Sequence, residues 1–136
     1  MIKKSLKQKV KKITAVTFMC MLFSTTAFAS KHSFKFELPK GGTGITASNP
    51  KNDNDIYAYV TVDSANLGSQ DSVRYVVTNS DQTKEVTKPF PTSGTKKPNR
   101  SRLKYNNSSY AKKGKKYCLK ITTYNYSRKF SGKWNS

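Results

Sequence analysis

Acidic residues are missing from the whole of residues 86–136, a stretch that carries fourteen lysines and arginines. The chain has one histidine, His32, and two cysteines, Cys20 and Cys118. No His/Cys group has zinc spacing, no paired carboxylates share an evident strand, and no phosphate-cradling glycine loop precedes a helix. Cys118 and His32 are the one nucleophile and base pair the composition allows. No acid or amide is identifiable to orient that histidine, and the pairing needs the terminus pinned beside the strand of Cys118. These absences point away from an enzyme, and no catalytic residue, cofactor or metal site is expected. The acidic loop NPKNDND, with Asp53 and Asp55, lacks the glycine and the terminal glutamate of a calcium hand, so Asx turns explain it better than Ca²⁺ binding.

Long apolar runs are also scarce. The only one, Ile13 to Phe23, is eleven residues long, against the roughly 20 that a membrane-spanning helix requires. It follows the basic stretch MIKKSLKQKVKK and precedes STTAFA, where Ala27 and Ala29 offer an A-x-A cleavage site. This is the plan of a secretory signal. Residues 1–29 are therefore read as a removed signal and residues 30–136 as a single domain, secreted and wall-associated or free. Cys20 goes with the signal, which leaves Cys118 alone. A lone thiol cannot brace the fold internally, and any disulfide it makes joins two chains into a dimer.

A helical period is absent from residues 30–136, whereas alternation of two is present almost throughout. Phe34, Phe36 and Leu38 share one face of a first strand. Ile56, Ala58, Val60 and Val62 form the buried row of a second, and Val73, Tyr75 and Val77 that of a third, which ends in the turn NSDQ. A short fourth strand over Thr83–Lys88 pairs back as a hairpin. PFPTSGTKKP holds three prolines and reads as a crossover loop. Leu103 and Tyr105 point inward from a fifth strand near Asn99–Tyr105; Tyr117, Leu119, Ile121 and Thr123 do so from a sixth, over Lys115–Tyr126. Phe130 and Trp134 close the core, and by the same parity Arg128 points inward. About six to eight short strands with Gly, Pro and Asn turns make an all-β fold, a small antiparallel β-sandwich, with a small barrel as the alternative.

The segment GKKYCLKITTYN resembles the penultimate strand of fibronectin-type and bacterial immunoglobulin-like domains, where a glycine precedes a Tyr-x-Leu-x-Ile run that ends near an asparagine. The resemblance covers about a dozen residues and implies an immunoglobulin-like sandwich. The signal, the size and the closing SGKW are similar to small exported β-proteins of Gram-positive bacteria. That group has no assigned activity and implies no site.

What the sequence has in excess is positive charge. Residues 30–85 carry six lysines or arginines against seven acids, while residues 86–136 carry only cations. Losing the six lysines of the signal leaves thirteen of the nineteen net positive charges. That is well above the magnitude of about 2 to 8 that keeps a small domain soluble. A solubility device has no need to exclude every acid from fifty residues, so the asymmetry points to a polyanion. By strand parity, Arg100, Arg102 and Lys104 point outward, as do Lys116, Cys118, Lys120, Thr122 and Tyr124. If the fifth and sixth strands pair side by side, they present Arg100, Arg102, Lys104, Lys116 and Lys120 on one face. The joining loop adds Lys112 and Lys113, and Tyr124 is an aromatic contact. Lys31, Lys35 and Lys51 are expected to stand outside that face.

Two functions follow as expectations. One is a secreted non-enzymatic binding protein for anionic cell-envelope polymers or acidic lipid surfaces. The other is a released bacteriocin-like or antimicrobial effector. Nucleic acid ranks third, since no nucleic-acid motif accompanies the basic patch.

Overall fold

Alternation of apolar and polar residues builds nine strands among the described residues, which are 31–136 of the computed structural model. The expected signal and its cleavage before Ser30 lie outside the described residues. In chain order the strands are β1 (His32–Leu38), β2 (Thr43–Ile45), β3 (Asn49–Pro50), β4 (Tyr57–Ala65), β5 (Ser72–Asn79), β6 (Phe90–Ser93), β7 (Ser101–Lys104), β8 (Lys116–Thr123) and β9 (Arg128–Asn135). All pairings are antiparallel. One sheet has the order β1-β9-β4-β7; the other has β2-β8-β5-β6, with β3 also pairing β8. The described residues contain no helix, and the sheets stay open rather than closing into a barrel. The fold is a small antiparallel β-sandwich.

The core lies between the sheets and uses the alternation expected of it. Phe34 and Leu38, then Ala58, Val60 and Val62, then Leu103, Phe130 and Trp134 are buried on one side; Val73, Tyr75, Val77, Tyr117, Leu119 and Ile121 meet them from the other. Burial pushes the Tyr75 phenol up to about 12, because a phenolate inside the sandwich would lose its hydration. Gly132 lets β9 sit between β1 and β4. A Cβ there would collide with the carbonyl oxygen of Thr61, the ring of Phe34 and the Cα of Val62. Arg128, inward by parity, is satisfied by a buried acid: its Nε donates to Asp71 Oδ2 at 2.8 Å.

Three expected elements differ. Ile56 is not in the buried row; it is 43% exposed, and β4 starts one residue later. The carboxylate of Asp55 accepts the Tyr57 N–H and fixes that start. The Thr83–Lys88 segment pairs back on β5 across the turn as expected, but only as far as Val86, and then turns toward the other sheet. Glu85 bridges Thr78 of β5, and the Val86 N–H donates to the Val77 carbonyl. Beyond that point the Lys88 N–H donates to Lys104, and Asn106 donates back to Val86. Conversely, the proline-rich segment is not all loop: Phe90–Ser93 pairs with β5 as β6. Being the outer strand it can hold Pro91, which has no N–H to give a further neighbour.

Candidate functional site

The expected cationic face is divided by the topology. β7 pairs β4 and β8 pairs β5, so the fifth and sixth strands of the sequence reading lie in different sheets. Arg100, Arg102 and Lys104 go with the β1-β9-β4-β7 sheet, while Lys116 and Lys120 belong to the other. Arg102, Lys104, Lys112, Lys113 and Lys116 are exposed, and Lys120 is half-buried. NNSSYAKKG is not a hairpin loop: it carries the chain across the sandwich from β7 to β8. Tyr124 is 46% exposed but lies just past β8, away from Arg100 and Arg102.

On the outward face of the β1-β9-β4-β7 sheet, parity sets Tyr57, Tyr59 and Thr61 of β4 between the cations of its neighbours. Tyr57 faces Lys104 and Tyr59 faces Arg102 across the β4–β7 ladder; Thr61 faces Lys133 across the β4–β9 ladder. The Arg102 guanidinium stands 5.0 Å from the Tyr57 ring centre, a cation–π contact that anchors its stem. The Tyr59 hydroxyl donates to Asp55 Oδ2 at 2.8 Å. That bond to a carboxylate holds the Tyr59 proton above its ordinary range, so the residue stays a neutral donor.

Where the β4 and β9 rows meet, a cleft of about 450 Å³ opens. Lys31, Arg100 and Lys133 contribute its cations, Tyr59, Asn99 and Asn135 its neutral polar groups, and Asp63 its one acid. Arg100 is held there in an unusual way: its φ is 47°, left-handed for a residue with a side chain. Its N–H donates to Thr61 Oγ1 at 3.0 Å, which ties the strained residue to β4. Strain at a position fixed from a neighbouring strand is a common mark of a working site.

The sequence reading missed Lys31 and Lys133, and it set Lys31 and Lys35 aside as bystanders. Lys35 is exposed on this same face, two residues along β1 from Ser33, the partner of Lys133. The parity that put Phe130 and Trp134 inward already implies an outward Lys133. Lys31 could not be found that way, because only the long-range β1–β9 pairing brings it near. Lys51, the third bystander, is a structural residue: it is buried, and its Nζ lies 2.9 Å from Asp53 Oδ1. The oxygens of Asp53 and Asp55 are engaged by Lys51, by the N–H groups of Asp55 and Tyr57, and by Tyr59, the Asx-turn arrangement expected for this loop.

Cys118 corrects another expectation. Its parity is outward, yet it is 1% exposed, as are its ladder partner Thr78 and nearby Val76 to within about two per cent. The turn after β5 folds back over this side, leaving the Cys118 Sγ 3.9 Å from the Ser80 carbonyl oxygen. Burial pushes the thiol pKa up, away from reactive thiolate. An interchain disulfide would require that turn to open first. His32 belongs to β1 and Cys118 to β8, in opposite sheets, so the structure does not bring them together. Comparison with protein families, curated proteins and solved structures finds no match to this chain.

Proposed function

We propose that the protein is a non-enzymatic binding module, exported from the cell, that takes anionic cell-envelope polymers on the outward face of the β1-β9-β4-β7 sheet. The observation that carries this reading is the convergence of Lys31, Arg100 and Lys133, from three distant parts of the chain, on one cleft with a single acid. A solvated face has no reason to gather cations around a concavity. Neutral donors beside them suit a polymer with hydroxyls as well as charges: Tyr59, Asn99 and Asn135 can bond the hydroxyls while the cations take the anionic groups.

The test is binding of a phosphate-rich wall polymer across a range of salt. Counterion release by about five contacts should make log affinity fall linearly with log salt, with a slope near about −4. Absence of binding at low salt would remove the proposal. Growth inhibition of other cells without retention on any polymer would instead favour the released effector.

A further inference from the structure

A second group of cations lies away from that face, at the end of the sandwich where β5 stops and β8 begins. Lys84 Nζ is 5.3 Å from the ring centre of Tyr110, and Lys115 Nζ is 5.9 Å from the same centre. Lys116 borders the same hollow of about 250 Å³, and no acid lines it. None of these three lysines is in an ion pair among the described residues, which include all seven acids of the chain. Both ammonium groups stand over one half-buried ring without a carboxylate partner, and an anion in the hollow would supply the counter-charge they lack.

The backbones beneath these side chains are fixed independently. The turn carrying Lys84 is closed by the Asn79 N–H on the Lys84 carbonyl, and by the Lys84 N–H on Asn79 Oδ1 at 2.9 Å. Asn79 Nδ2 also donates to Thr83 Oγ1 at 3.0 Å. Tyr110 is pinned through its carbonyl, which accepts the Tyr117 hydroxyl at 2.6 Å. The Lys115 carbonyl accepts the Lys51 N–H at 2.7 Å. With these backbones in place, binding has to order only the exposed lysine side chains.

We infer that this hollow is a site for a phosphate dianion, either inorganic phosphate or the end group of a phosphomonoester. Lysine ammonium groups bind phosphate oxygens as point charges, and three lysines lining one hollow offset the two charges of the dianion and offer a donor to each of three oxygens. A carboxylate, with one charge and two oxygens, uses this set less fully. This inference rests on Lys84, Lys115, Lys116 and Tyr110, none of which is on the polymer face.

The experiment is a titration of the protein with inorganic phosphate at constant ionic strength, followed through amide chemical shifts at a pH where the dianion predominates. Saturable shifts should centre on Lys84, Tyr110, Lys115 and Lys116. Lys84→Gln and Lys115→Gln should each weaken binding about tenfold, the effect of losing one charge-assisted hydrogen bond at an exposed site. Lys40→Gln and Lys96→Gln remove the same charge from exposed positions outside both sites and should leave phosphate affinity within about twofold. A second arm uses glycerol phosphate: shifts at the same amides assign the site to monoester ends as well as free phosphate, and their absence assigns it to the free ion. Unsaturable shifts, or equal weakening by Lys84→Gln and Lys96→Gln, would overturn the site. The spread of amide signals in each variant reports that it is folded.

Discussion

The ammonium group of Lys51 lies 2.9 Å from Asp53 Oδ1, with the Lys51 side chain wholly enclosed and Asp53 more than half exposed. The lysine stem runs beneath the loop that precedes β8, and its Nζ is also 5.1 Å from the ring centre of Tyr105. Its backbone joins the same loop, accepting the Gly114 N–H and donating to Lys115. A buried charge with one external partner makes the two halves of the pair unequal. Asp53→Ala leaves the ammonium enclosed and unpaired, and should cost about 1–2 kcal/mol in urea unfolding, below the range for fully buried pairs because water still reaches Asp53. Lys51→Met keeps the volume and removes the charge, and should cost less than Asp53→Ala. The reverse order would mean that contacts of the ammonium beyond Asp53, the Tyr105 ring among them, help to secure this loop.

Glycine at position 132 permits the central strand of its sheet. Gly132→Ala should destabilise the domain by about 1–3 kcal/mol, since the colliding atoms are the β4 backbone at Thr61 and Val62 and the packed ring of Phe34. Thermal unfolding measures it, and an unchanged midpoint would show that β9 can shift to make room.

Cys118 should resist alkylation in the native protein and react quickly in denaturant. Native labelling then proceeds through opening of the Ser80 turn, at a rate about a hundredfold or more below that of the unfolded chain. Mild denaturant below the global transition should speed it. Labelling at the unfolded rate in buffer would place the thiol in open water.

Acid should weaken one surface clamp in a defined direction. Arg74 donates two bonds of 2.7 Å to the carboxylate of Glu85, and that pairing holds the Glu85 pKa below its usual range. A carboxyl group lowered on folding stabilises fully above its unfolded pKa, about 4.3, and the contribution fades as pH falls through the lower folded value. Glu85→Gln should therefore lower stability at neutral pH and reduce its decline between about pH 5 and pH 3. Urea midpoints across that range decide it; a parallel decline in both proteins would assign acid sensitivity elsewhere.

On the polymer face, replacing Arg100, Arg102 and Lys133 with glutamine should flatten the salt slope by about 2 to 3. Replacing Lys112, Lys113 and Lys120 removes the same charge elsewhere and should change the slope by less than about 1. Equal effects would mean that attraction follows net charge alone.

The strands were legible where side chains alternate on a half-buried surface. Phe34, Val60, Tyr75, Leu119 and Trp134 all lie where period two puts them. Pairing was not legible, because nothing local states which strand a given strand will meet. Residues 106–114 have the length and composition of a hairpin loop, and only the crossover to the other sheet shows that β7 and β8 do not pair. The candidate site inherited that error: parity correctly turned Arg102 and Lys104 outward, but their neighbours are Tyr57 and Tyr59 rather than Lys116 and Lys120. Burial of Cys118 escaped for the same reason, since the covering turn comes from another part of the chain.

Within its sheet β1 pairs with β9 alone, and β9 also separates β1 from β4. A chain emerging from its amino end can close β5 against β8 once residue 123 is out, but β1 has no partner until residues 128–135 follow. The first and last strands must find each other across nearly a hundred residues, a pairing that delays folding. β1 thus stays unpaired within its sheet until residues 128–135 have been made. A version cut before residue 128 should leave β1 loose, with the cleft lacking Lys133 and the sheet that presents it unfinished.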